Sequence, residues 1–180
     1  MRALILFLLI LLPQTATAQD REGNDTAGEW VIDHQRSFGL WDSMCDRRTS
    51  GDAVEQRCYL RYVDVFSGRP NFAALFLFVT QGPKVEFGLE AGTQFAQDGF
   101  KILKDDATLW AAPKPGCLVG LSCLYEQDEA ASLLDAMRAG QAFAFDFTDR
   151  HGVVQSLRWD LTAFADAMVD FSAESDKRGL

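Results

Sequence analysis

Between residues 29 and 171, apolar and polar positions alternate over short runs, the period of half-buried strands. Trp30 to Gln35 and Phe38 to Asp46 read as short strands, broken at Gly39. Glu55 to Phe66 alternates well: Cys58, Leu60 and Tyr62 fall on one face, Arg57, Tyr59 and Arg61 on the other. After the turn cluster Gly68-Arg69-Pro70-Asn71, the run Phe72 to Val79 is apolar at every position. That predicts a strand inside the fold and central in its sheet. Gln81-Gly82-Pro83 ends it, and Lys84 to Glu90 alternates again with Val85, Phe87 and Leu89 inward. Asp98-Gly99 predicts a type I′ hairpin between Thr93–Gln97 and Phe100–Lys104. A turn at Asp105-Asp106 leads to a strand over Ala107–Ala112, and Pro113 to Gly116 forms a rigid elbow before the loop Cys117 to Cys123.

The period then changes. Asp128 to Arg138 predicts a helix with Ala130, Leu133, Leu134 and Met137 as its apolar stripe, acids in its first turn, and Gly140 as its stop. Gln141 to Thr148 is a strand with Phe143, Phe145 and Phe147 on one side. Asp149 to Gly152 turns into a strand over Val153–Asp160. Thr162 to Phe171 predicts a second short helix buried through Phe164, Ala167, Met168 and Phe171, and the polar residues 172–180 read as a frayed tail. These elements predict a mainly β fold: a single antiparallel β-sandwich-like domain with two short helices in the C-terminal third.

The first 18 residues follow a different pattern. A basic start at Arg2, the apolar run Leu4–Leu12, Pro13 and then Ala16-Thr17-Ala18 have the order of a secretory signal peptide. The run is shorter than the roughly 20 residues a spanning helix needs. The expected organisation is a signal peptide over 1–18, a flexible leader over 19–28, the domain over 29–171 and the tail. Such a protein is periplasmic or secreted, with no transmembrane segment after cleavage. The formal charge is -9, and removing residues 1–18 removes one arginine and no acid. An acidic chain with no basic block is a poor binder of nucleic acid.

Four cysteines, Cys45, Cys58, Cys117 and Cys123, admit three pairings. Cys45–Cys58 and Cys117–Cys123 are favoured because the members of each pair are close in sequence and far from the other pair. Neither spacing suits zinc, and there is no Cys-x-x-Cys redox motif.

No catalytic, cofactor-binding or metal-binding constellation stands out. Gly120-Leu121-Ser122-Cys123 lacks the second glycine of a nucleophile elbow, and no glycine-rich phosphate loop precedes a helix. His34 reads as a surface histidine at a strand end, and His151 as a hairpin residue. The four tryptophans, Trp30, Trp41, Trp110 and Trp159, lie in or beside strands, where core packing is the simplest role. Trp110, just before the elbow, is the candidate for exposure. Arg57, Tyr59 and Arg61 share the polar face of one strand, and with Trp110 they are the candidate contact surface, since Arg and aromatic residues are enriched at binding hot spots.

Several motifs occur in a recognisable order. Phe38-Gly39-Leu40-Trp41 leads to Cys45, and Cys58-Tyr59-Leu60 follows. A second cysteine pair comes in the last third, then the segments Leu133 to Gly140 and Leu161 to Met168. From about Phe38 to Met168 the chain resembles the invasion-associated locus B family of exported bacterial envelope proteins. It departs from that pattern at Ser122, where the family tends to have Gly, and between Gly82 and Pro113. The resemblance implies a periplasmic or envelope location in an alphaproteobacterium, and some members are linked to host-cell invasion. No enzymatic activity is established for the family, so only the four cysteines carry over by position. The expected function is that of a non-enzymatic binding or accessory protein whose surface meets an unidentified envelope or host protein. The alternatives are a carbohydrate- or lipid-binding module, which requires exposed tryptophans along a groove, and an envelope hydrolase or inhibitor built from carboxylates distant in sequence.

Overall fold

The computed structural model describes residues 29–180 except 69–70, 83, 92–95, 114–122 and 149–151. In chain order the elements are β1 (Val31–Phe38), β2 (Trp41–Ser50), β3 (Ala53–Gly68), β4 (Asn71–Thr80), β5 (Lys84–Ala91), β6 (Ala96–Lys104) and β7 (Ala107–Ala111). They continue with β8 (Cys123–Glu126), α1 (Gln127–Ala139), β9 (Ala142–Thr148), β10 (Val154–Asp160) and α2 (Phe164–Lys177). The strands form two antiparallel sheets, one ordered β1-β2-β3-β4-β5-β8 and one ordered β10-β9-β6-β7. The predicted architecture, mainly β with two sheets and two late helices in one domain, is the one observed.

Tight turns set the first sheet. Gly39, at φ 63°, sits in the left-handed region that glycine enters without steric cost, and it turns β1 into β2. Phe38 therefore closes the first strand opposite Trp41 instead of opening the second. Cys45 pairs directly with Cys58 across β2 and β3, with Cα atoms 4.0 Å apart, and the two are disulfide-bonded. Cys123 is also in a disulfide; Cys117, its predicted partner, lies outside the described residues.

The alternation on β3 is as predicted, since Cys58, Leu60 and Tyr62 are buried. They join Trp41, Leu77, Val85 and Tyr125 from the same sheet, Phe100, Phe143 and Phe145 from the second, and Leu133, Met137 and Phe164 from the helices in one core. α2 lies against β1, β2 and β3, while α1 lies against β5 and β8 and also touches β6 and β7. β4 is interior to its sheet as predicted; over residues 76–79 Leu77 and Val79 are buried, whereas Phe76 and Phe78 stay partly exposed.

Four expectations are corrected. Asp98-Gly99 is not a hairpin turn; β6 runs through it with a register shift between Gln97 and Phe100 against β9. The two-residue turn with both residues at positive φ is Asp105-Asp106, at 50° and 61°, closing β6 and β7 from Lys104 to Ala107. Gln141 braces it: Asp105 N–H donates to Gln141 Oε1 at 2.9 Å, and Gln141 Nε2 donates to Asp105 Oδ1 at 3.0 Å. Second, Cys123–Glu126 is a strand pairing with β5, too short for its own pattern to declare it. Third, the tail expected to fray is helical to Lys177, with Ser175 buried. Arg178 holds it by reaching Glu174 at 2.7 Å and Asp33 of β1 at 3.4 Å. The folded unit thus extends past residue 171. Fourth, Trp110 is not free on the surface. Its ring packs against Phe100 and Tyr125 at the edge of the core, and its Nε1 donates to Ser132 at 3.2 Å.

Candidate contact surface

The side chains of β2 to β5 that alternate with the core residues point to the opposite face of the large sheet. Register aligns them in rows. Asp46 lies opposite Arg57; Met44, Tyr59 and Thr80 follow one another; so do Asp42, Arg61, Phe78 and Glu86. Arg57, Tyr59 and Arg61 therefore stand together, as the alternation predicted. Trp110 belongs to the other sheet and is not part of this surface.

The patch is built on a buried charge. The Asp46 side chain is 0% exposed, and Arg57 donates to its Oδ2 from Nε at 3.1 Å and Nη2 at 2.9 Å. The Tyr59 hydroxyl donates to the same carboxylate at 3.2 and 3.3 Å. Trp30 covers the pair: the Arg57 guanidinium lies 4.0 Å from the ring centroid and that of Arg48 lies 4.6 Å away. Burial, followed by the Asp46 charge and hydrogen bond, pushes the Tyr59 phenol up to about 12, so it stays a neutral donor. Arg61 is anchored through Nη2 to Asp42 at 2.9 Å, and Arg48 to Glu55 at 2.7 Å.

The result is a set of arginines with fixed heads and solvent-facing edges, the side chains of Arg57 and Arg61 remaining 43% and 37% exposed. Beside them Tyr59 and Phe78 are tilted rings 6.3 Å apart. Arg57, Tyr59, Arg61, Phe78, Gln81 and Glu86 border a concavity of about 440 Å³. In its wall the Thr80 hydroxyl and the Gln81 amide nitrogen are buried without a hydrogen-bond partner. This arrangement can bind and orient.

A second polar cluster ties α2 to β1. His34 is neither at a strand end nor fully on the surface. Its Nε2 is 2.8 Å from Asp170, its Nδ1 is 3.8 Å from Glu174, and Arg36 reaches Asp170 at 3.2 Å. Burial works to raise the Asp170 carboxyl, but the hydrogen bonds led by His34 outweigh it and hold it below its ordinary range. Lys177 and Arg178 lower the Glu174 carboxyl to about 2. Both acids are pushed the same way, whereas an acid–base pair needs its two members pushed apart. His151 lies outside the described residues. Among the described residues no three His, Cys, Asp or Glu side chains are placed to hold a metal ion, and no helix is long and apolar enough to cross a membrane.

Trp30, Trp41 and Trp159 are buried and Trp110 is packed at the core edge, so the indoles do not line an open groove. Trp30, Asp46, Phe78 and Glu86 are the members of the patch that strand patterning alone did not single out. Register was the available signal. Once Cys45 is set opposite Cys58, antiparallel counting puts Asp46 opposite Arg57 and Asp42 opposite Arg61. The chain matches no family model, no curated protein and no solved structure.

Proposed function

We propose that this chain is an exported, non-enzymatic binding or accessory protein of the invasion-associated locus B type, active in the periplasm or outside the cell. It works through the open face of its large sheet on an envelope or host protein. The observation that carries this reading is the layer formed by Arg57, Tyr59, Arg61 and Phe78, in which the buried Asp46 carboxylate holds Arg57 and Tyr59 and Asp42 holds Arg61. Half-exposed arginine and aromatic side chains whose conformations are already fixed lose little entropy on binding, which is how a contact surface gains affinity. The signal-like first 18 residues and the disulfides support the location, and the order of the cysteine and Leu-Trp motifs supports the family.

The test is photo-crosslinking in the native cell, with the photoreactive group at position 59 or 78 and a control at the exposed position 135 of α1. A partner captured from the sheet face, and lost on Arg61→Glu, is the expected result. Capture no stronger than at position 135 would sink the proposal. The mass of the exported protein should correspond to a chain beginning at Gln19 with every cysteine oxidised.

A further inference from the structure

We propose that the concavity over Tyr59 and Phe78 takes the free C-terminal end of a peptide chain. The α-carboxylate lies toward Arg57 and Arg61, the apolar last side chain lies on the two rings, and a cationic residue upstream lies toward Glu86. This names the partner chemistry of the contact surface and rests on that reading.

The first argument is the inventory of unspent donors. Arg57 spends Nε and Nη2 on Asp46, and Arg61 spends Nη2 on Asp42. Arg57 Nη1 and Arg61 Nε and Nη1 have no partner among the described residues. Both guanidinium groups keep a solvent-facing edge, the side chains of Arg57 and Arg61 being 43% and 37% exposed. An open guanidinium edge selects an anion, and its planar fork matches a carboxylate.

The second argument is the order of charges. Arg61, Phe78 and Glu86 occupy one row on adjacent strands. At roughly 4.8 Å per strand, the backbones at Arg61 and Glu86 are about 10 Å apart across the sheet. Glu86 has no partner among the described residues. An extended peptide rises about 3.4 Å per residue, so a chain whose carboxylate meets Arg61 brings the residue two or three positions upstream over Glu86. A free inorganic anion would use the donors and leave the aromatic floor bare. At about 440 Å³ the space falls within the range that accepts ligands of several residues' bulk. Capture of a terminal carboxylate is a recurring mode of peptide recognition.

The experiment titrates the exported protein, disulfides intact, with N-acetyl-Lys-Ala-Phe carrying either a free carboxylate or a C-terminal amide, and with inorganic phosphate. The acid should bind about tenfold tighter than the amide, the scale of one charge-assisted hydrogen-bond set. Arg61→Gln should abolish that preference, and Glu86→Gln should weaken the peptide by a few fold. Arg61 is a partly exposed side chain, so its variant keeps the fold, as near-ultraviolet circular dichroism would verify. Equal affinity for acid and amide, no binding of either, or displacement of the peptide by equimolar phosphate overturns the proposal. Cellular crosslinks from position 78 separate the two readings. Capture at an internal segment of a partner sinks the peptide-end proposal and keeps the contact surface. Peptide binding without any cellular capture does the reverse.

Discussion

Arg57 and Asp46 face each other across β2 and β3, and the carboxylate, wholly buried, accepts from the guanidinium Nε at 3.1 Å and Nη2 at 2.9 Å. The pair explains why the contact layer is ordered: a buried charge fixes the root of a side chain whose outer edge stays in water.

Removing the guanidinium strands that charge. Arg57→Met should cost about 2–3 kcal/mol, below the range for a fully buried pair because the arginine is half-exposed. Tyr59→Phe should cost about 1 kcal/mol, since it removes one hydrogen bond and leaves Arg57 in place. Asp46→Asn combined with Arg57→Met should recover part of the loss. Urea unfolding of the three variants measures this, and an Arg57→Met cost no larger than that of Tyr59→Phe would contradict the account.

Acid should loosen the clamp between α2 and β1. Asp170 and Glu174 are both held below their ordinary values, Glu174 at about 2. Depressed carboxyls stabilise fully above their unfolded values of about 4, and that stability drains as pH falls toward 2. The melting temperature should therefore drop between pH 4 and pH 2. Asp170→Asn with Glu174→Gln should be less stable at pH 7 and show a flatter acid limb.

Alkali should act through the phenols. Tyr59 and Tyr125 are pushed up to about 12, mainly by burial, and Tyr62 further still. These three are the whole tyrosine content of the chain. The stabilisation tied to their neutral forms is complete below pH 10 and is lost as pH climbs toward 12. Ultraviolet titration should show little phenolate at pH 10.5 while the fold persists; half-ionisation at that pH in folded protein would refute the burial.

Gly140 is needed for room. Its φ is -82°, which any residue can adopt, but a Cβ there would lie 2.4 Å from Ile102 Cγ2 and 2.9 Å from the Ala136 carbonyl oxygen. Gly140→Ala should cost about 1–3 kcal/mol by forcing α1 away from β6. Thermal unfolding checks it, and Ile102→Val in the same background should bring no relief, because valine keeps the Cγ2 methyl that the new Cβ meets.

The Cys45–Cys58 bond closes a short loop, with a sequence separation of 13. In the chain-entropy view such a loop is worth about 3 kcal/mol. Replacing both cysteines by alanine should lower stability by about that amount and leave the register of β2 and β3, which the rest of the hairpin also enforces, intact: the same amides stay the protected ones in hydrogen exchange, each less strongly.

Strand alternation is a local property, and it was readable. It put Cys58, Leu60 and Tyr62 inward and Arg57, Tyr59 and Arg61 outward because side chains on a pleated strand change face at every residue. The stripe on α1 was readable for the same reason, and Ala130, Leu133, Leu134 and Met137 are buried. Turn chemistry was only half readable. Asp98-Gly99 carries the stronger hairpin signal, yet β9 pairs along β6 and carries the strand through it, while Asp105-Asp106 takes the left-handed turn with Gln141 bracing it.

The chain's own pattern thus determined most of the secondary elements, the fold class and the line of Arg57, Tyr59 and Arg61, all matters of neighbours a few residues apart. Tertiary structure decided what those residues meet: Trp30 over Arg57, Phe78 beside Tyr59, and a terminal helix kept ordered by His34, 136 residues away from Asp170. Burial of a charge such as Asp46 depends on partners and cover brought in from other strands, and a one-dimensional pattern carries no record of that cover.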